Sequence, residues 1–142
     1  DTNARYLLIG TGTGVTPYRA MLPELAKLIA RRNVEVVLLF GARTPDELLY
    51  GDEFRAFADA HPNFRFVPCF SRELPAAGSA HAHVDVRHGY VQNFLAEFGP
   101  NAAGDIAYLC GNPNMVDACF EALKEFGLPV PQVRREKYVS SK

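Results

Sequence analysis

The sequence predicts an α/β fold, with a doubly wound, mainly parallel five-stranded sheet and helices on both faces. Three observations lead there. Strand-like apolar runs alternate with amphipathic helical segments along the chain. The run Val34 to Phe40 (VEVVLLF) is almost wholly β-branched or apolar, as in a strand covered on both faces. Glycine and proline turns separate the elements. A chain of 142 residues is long enough for one well-packed domain and too short for two of ordinary size.

Taken in order, Arg5 to Gly10 (RYLLIG) predicts the first strand, and Val15 to Arg31 predicts a helix with Thr16 as N-cap and Pro17 at its first position. Val34 to Phe40 is the second strand, and Pro45 to Ala60 a helix. Phe64 to Phe70 (FRFVPCF) is the third strand, whose Pro68 points to an edge or an interruption. An exposed Pro/Ala/Gly/His-rich loop follows from Glu73 to about His83. Gly89 to Phe98 predicts a helix, Asp105 to Cys110 a strand, Asn114 to Phe126 a helix stopped by Gly127, and Val133 to Val139 a last strand.

Composition excludes several classes. A net charge of -1 provides no general attraction to nucleic acid or anionic membrane, so any anion site is local. No apolar run approaches a membrane span. Three cysteines, Cys69, Cys110 and Cys119, lack paired spacing, which argues against a disulfide framework and for a reducing, cytoplasmic location. His61, His81, His83 and His88 have no cysteine or carboxylate cluster around them, so no metal site is expected. A start at Asp1 without Met, running at once into a strand, predicts an excised or processed chain with something upstream.

In a doubly wound sheet, ligands bind in the crevice outside the carboxyl ends of the strands. Three such ends carry unusual sequence: Gly10 to Pro17 (GTGTGVTP), Ser71-Arg72, and Cys110 to Pro113 (CGNP). Alternate glycines before a helix let the backbone approach a pyrophosphate and offer it amides. The pattern is not G-x-G-x-x-G, since Val15 holds its last position, and no acid sits suitably after the second strand to grip a ribose. No Gly-Lys-Ser/Thr follows, which removes a P-loop. Plainer readings stay open here: a glycine turn that merely joins strand to helix, a structural Cys110, and solvated arginines at positions 43 and 87.

The ordered set GTGTGVTPYR at 10–19, FGARTPDELLYGDEF at 40–54, SRE at 71–73 and YLCGNPNMV at 108–116 resembles the C-terminal nucleotide domain of the ferredoxin-NADP reductase family. The resemblance covers nearly the whole chain. It implies a Rossmann-like domain that binds NADP(H), or NADH, and normally follows a flavin-binding β-barrel carrying FAD or FMN. It further implies a loop of Gly10, Thr11, Gly12, Thr13, Gly14 and Val15 around the pyrophosphate, with Pro17 opening the helix. Gly41 and Arg43 would border the cofactor, while Ser71 and Arg72, with Arg87 on the other side, would hold the phosphate on the adenosine ribose. Cys110 and Gly111 would lie beside the nicotinamide, followed by Asn112, Pro113 and Met115. Tyr138 resembles the aromatic residue that relatives place over the flavin, although Val139 to Lys142 continue beyond it.

The implied activity is hydride transfer between nicotinamide and flavin, with Cys110 and Thr11 near the reacting ring. Electrons would pass to ferredoxin, flavodoxin or another one-electron acceptor. Three alternatives are an NADH-dependent oxygenase-type reductase domain, a non-catalytic nucleotide-binding regulatory module, and a hydrolase or transferase, the last lacking a convincing base or metal cluster.

Overall fold

The computed structural model describes residues 3–79 and 85–137. Six strands are present where five were expected: β1 (Arg5–Thr11), β2 (Glu35–Ala42), β3 (Phe64–Phe70), β4 (Arg87–His88), β5 (Asp105–Gly111) and β6 (Val133–Lys137). They form one sheet in the order β4-β3-β2-β1-β5-β6, and every pairing is parallel. The chain winds outward from β1 on one side and from β5 on the other. The order therefore reverses between β1 and β5, where Gly10 pairs with Cys110.

The additional strand is β4, only two residues long, pairing Arg87 with Cys69 and His88 with Phe70. A run this short has no alternation to read. It covers only the carboxyl end of β3, so Pro68 lies where β3 has β2 on one side and no β4 partner on the other.

Strand side chains alternate between two apolar layers. Tyr6, Leu8, Val36, Leu38, Phe40, Phe66 and Cys110 pack with Tyr18 and Leu25 of α1 (Thr16–Arg32) and Phe54 of α2 (Gly51–Ala60). Leu7, Ile9, Val37, Leu39, Val67, Cys69 and Leu109 pack on the other face. They meet Val91, Leu95 and Phe98 of a 3-10 segment (Val91–Phe98), and Met115, Val116, Cys119, Phe120 and Leu123 of α3 (Pro113–Glu125). Both faces are thus covered, which explains the uninterrupted apolar character of β2.

The helices differ from expectation in three places. Thr16 does not cap α1. The N-cap is Val15, which makes no side-chain cap bond, and a 3-10 turn over Gly12–Val15 leads into the helix. The segment 45–60 is not one helix: a 3-10 turn at Pro45–Glu47 is separated from α2 by Leu48 to Tyr50, with Tyr50 left-handed at φ 59°. Residues 91–98 form a 3-10 segment and not an α-helix. Among the described residues, no helix is long and apolar enough to cross a membrane.

Candidate functional site

A cavity of about 1210 Å³ opens at the carboxyl ends of β1, β2, β3 and β5, at and beside the reversal of strand order. Its size is somewhat above the roughly 300–1,000 Å³ usual for small-molecule sites. Each strand end provides a different chemistry.

The centre is built from β1 and β5. Gly14 lies against the main chain of the β5 end: a Cβ there would stand 2.5 Å from the Cys110 carbonyl oxygen and 2.6 Å from Gly111 Cα. Gly111 is at φ +133°, and a Cβ on it would meet Thr11 Oγ1 at 2.4 Å. Any side chain at either position would force the two loops apart. With glycine at both, Thr11 Oγ1 accepts a hydrogen bond from the Asn112 amide at 2.9 Å, tying the loops together. Thr11, Gly12 and Thr13 line the cavity from one side and Gly111, Asn112 and Pro113 from the other.

Asn112 has a second duty. Its side-chain oxygen accepts from the amides of Asn114 at 2.9 Å and Met115 at 3.1 Å, capping α3. Two amides at this helix start are therefore already bonded. The N-cap of α1 makes no side-chain bond, and the turn leading into that helix brings Gly12 and Thr13 to the cavity.

The β2 and β3 ends form the charged wall. Gly41, Arg43 and Glu47 line it together with Ser71 and Arg72. The Ser71 amide bonds to Ala42 O at 2.9 Å, and the Arg72 and Glu73 amides to Arg43 O at 3.0 and 3.1 Å, so the two loops are tied together. Arg43 is locked to Glu47: Nε donates to the two carboxylate oxygens at 3.0 and 3.1 Å, and Nη2 to Oε2. This pairing holds the Glu47 carboxyl below its usual range and raises the Arg43 guanidinium. The Arg72 side chain makes no hydrogen bond or ion pair among the described residues, and its charge also lowers Glu47.

Tyr90, Val91, Gln92 and Met115 complete the lining. Tyr90 is 61% exposed, so its ring stands at the cavity with much of its face unburied. The Gln92 side-chain oxygen is buried without a partner among the described residues.

Several of the expected site residues do not line the cavity. Arg87 does not line the cavity; it is paired with Glu97 through Nε and Nη2, each at 3.0 Å, with Asp85 at 4.0 Å. Gly10, Gly14, Val15 and Pro17 lie behind the lining, where they shape the loop without facing the space. Cys110 is also outside the lining. Its thiol belongs to the α1 layer beside Tyr18, is 7% exposed, and is raised by burial, so it is a neutral thiol at ordinary pH. Tyr138, His81 and His83 lie outside the described residues.

Glu47, an acid that follows the second strand and that the sequence reading passed over, lines the cavity. Reading Pro45 to Ala60 as one helix made it a helix-surface carboxylate; the Arg-x-x-x-Glu spacing from Arg43 was the available signal. Tyr90 and Gln92 were likewise absorbed into an expected helix.

Residues 8–121 match the family of oxidoreductase NAD-binding domains, which is most of the chain. The chain belongs to that family. It is 32% identical over 136 residues to the propane 2-monooxygenase reductase component of Rhodococcus jostii, covering 94% of this chain and 35% of that protein. It is 35% identical over 139 residues to ferredoxin–NADP reductase B of Sorangium cellulosum, covering 93% of this chain and 53% of that protein. Among solved structures, an Amycolatopsis cytochrome P450 reductase superposes with a TM-score of 0.79 at 31% identity, covering 100% of this chain and 39% of that one. The chain thus spans about a third to a half of these relatives, the portion that corresponds to a reductase's nucleotide-binding domain.

Proposed function

We propose that the chain binds NADP(H) or NADH and positions its nicotinamide for hydride exchange with a flavin, as part of a ferredoxin-NADP reductase-like oxidoreductase. The observation carrying this reading is the closure of Gly14 onto the Cys110–Gly111 backbone, which puts a glycine-lined loop and a charged wall on one continuous cavity.

The lining fits a dinucleotide. Backbone of Thr11, Gly12 and Thr13 approaches the pyrophosphate beside the positive end of α1. Ser71 and Arg72 face the adenosine ribose, with Tyr90 available to stack on the base. Thr11 and Gly111 would border the nicotinamide end at the carboxyl end of β5, with Cys110 immediately before Gly111. There the thiol limits how the ring can lie and, being neutral, attacks nothing.

When bound, the nicotinamide supplies the hydride and the flavin receives it or returns it. This chain supplies placement, which governs rate through the approach distance. The flavin, FAD or FMN, is assigned to another domain of the same protein. Ferredoxin, flavodoxin or another one-electron carrier is assigned as the acceptor. An oxygenase-type reductase using NADH is the second reading, favoured by Glu47 on the ribose wall and by the oxygenase reductase components among the relatives.

Titrating this chain with NADPH and NADH, followed by amide chemical shifts, tests the reading. Shifts are expected at Gly12, Gly111 and Arg72, and Arg72→Ala should weaken NADPH by about tenfold or more while sparing NADH. No binding of either nucleotide at millimolar concentration, or shifts confined elsewhere, rejects it.

A further inference from the structure

We propose that Glu47 is a selectivity-determining residue: its carboxylate occupies Arg43, accepts from the free hydroxyls of an adenosine ribose, and opposes a 2′-phosphate. The inference rests on the nucleotide reading above and adds to it a residue that sets the preference between the two coenzymes.

Position comes first. Glu47 closes the 3-10 turn after β2 and lines the same wall as Arg43, Ser71 and Arg72. It is fixed there by more than one bond. The Arg43 amide donates to its Oε1 at 3.1 Å, while the Arg43 guanidinium reaches both oxygens. Because the Arg43 carbonyl in turn receives the Arg72 and Glu73 amides, the Glu47 carboxylate and the Arg72 backbone are joined through Arg43.

Charge then decides what this wall prefers. Arg43 and Glu47 cancel, leaving the single charge of Arg72 to meet a 2′-phosphate of about -1.5 to -2. An ionised phosphate has no proton to donate to a carboxylate, so Glu47 faces it as a like charge. A ribose with a free 2′-hydroxyl and 3′-hydroxyl has two donors, which a carboxylate accepts well. A partly exposed wall keeps the effect moderate, since water and salt screen it. Glu47 thus acts twice against NADP(H): it repels the phosphate, and it withholds the Arg43 guanidinium that would otherwise bind it.

Two fragments isolate this end of the cavity from the nicotinamide: 5′-AMP and 2′,5′-ADP. Their dissociation constants are measured by calorimetry on the whole chain and on two variants, with circular dichroism to confirm folding. Glu47→Gln should shift the ratio toward 2′,5′-ADP by about tenfold, because it removes the opposing charge and releases Arg43. Arg43→Gln leaves the carboxylate unneutralised and should shift the ratio the other way by a similar factor. If Glu47→Gln does not fold, Arg43→Gln decides alone. Should the unaltered chain bind both fragments and neither variant move the ratio beyond twofold, the role of Glu47 is wrong while the nucleotide reading stands. Should the unaltered chain bind neither, both fall together.

Discussion

The carbonyl oxygen of Cys110 occupies the place a side chain on Gly14 would need, 2.5 Å from where that Cβ would be. The glycine is therefore a packing requirement between β1 and β5 as much as a feature of a phosphate loop. Because the obstructing atoms are backbone, they cannot swing aside as a flexible side chain would. Gly14→Ala should lower stability by about 1–3 kcal/mol and weaken dinucleotide binding by more than about tenfold. Urea unfolding and calorimetric titration measure the two effects, and an alanine accommodated with unchanged affinity would show that the loops need not meet.

Cys110 does not line the cavity; it is buried in the α1 layer with Tyr18, one residue before Gly111, which does. Its thiol is pushed up by burial, so no nucleophilic role is available to it at neutral pH. Its proposed role is to shape the approach of the ring. In the complete reductase, Cys110→Ala should reduce hydride transfer by about tenfold or more while changing nucleotide affinity little. Stopped-flow flavin reduction and a nucleotide titration separate the two quantities. An unaltered transfer rate would remove Cys110 from the positioning machinery.

At the opposite ends of the central strands, Asp105 is 2% exposed and receives Arg5 Nε and Nη2, each at 2.8 Å, and the Asn101 amide at 2.9 Å. The pair joins the starts of β1 and β5, whose other ends hold the cavity. Asp105→Asn keeps the size but leaves the Arg5 charge without its partner, and should cost about 3 kcal/mol. Nucleotide affinity at a temperature where the variant is folded should not change. A large loss of affinity in the folded variant would mean that the two ends of the strands are coupled.

The parallel sheet and the convergence of three strand ends were legible in the sequence because both follow from period and punctuation: continuous apolar runs, then glycine. What escaped was short or locally irregular. The two residues of β4 have no pattern, and the break at Leu48 to Tyr50 depends on a left-handed tyrosine that no propensity signals. That break places Glu47 on the cavity wall. Arg87 shows the converse. A guanidinium following a loop looks available for phosphate in sequence, yet Glu97, ten residues later, claims it. Chemistry at a distance of a few residues was readable; competition between partners was not.

Cys69 and Cys119 give the fold a response to alkaline pH. Burial pushes each thiol up to about 12; for Cys69, nearby Arg87 pulls down while Glu97 and Cys119 add to the rise. The unfolded thiols ionise near ~8.5. Below that pH both states hold the proton and the contribution to stability is fully present. Between there and about 12 the native state keeps protons that the unfolded state has lost, so stability falls as pH rises. Each such thiol should shift the unfolding equilibrium by about tenfold per pH unit in that window. Urea unfolding of the unaltered chain and of Cys119→Ala, at intervals from neutral to strongly alkaline pH, should show the variant less stable at neutral pH from the lost packing but with a shallower alkaline decline. Parallel declines would mean that the Cys119 thiol is not the buried, neutral group described, and that the alkaline sensitivity has another origin.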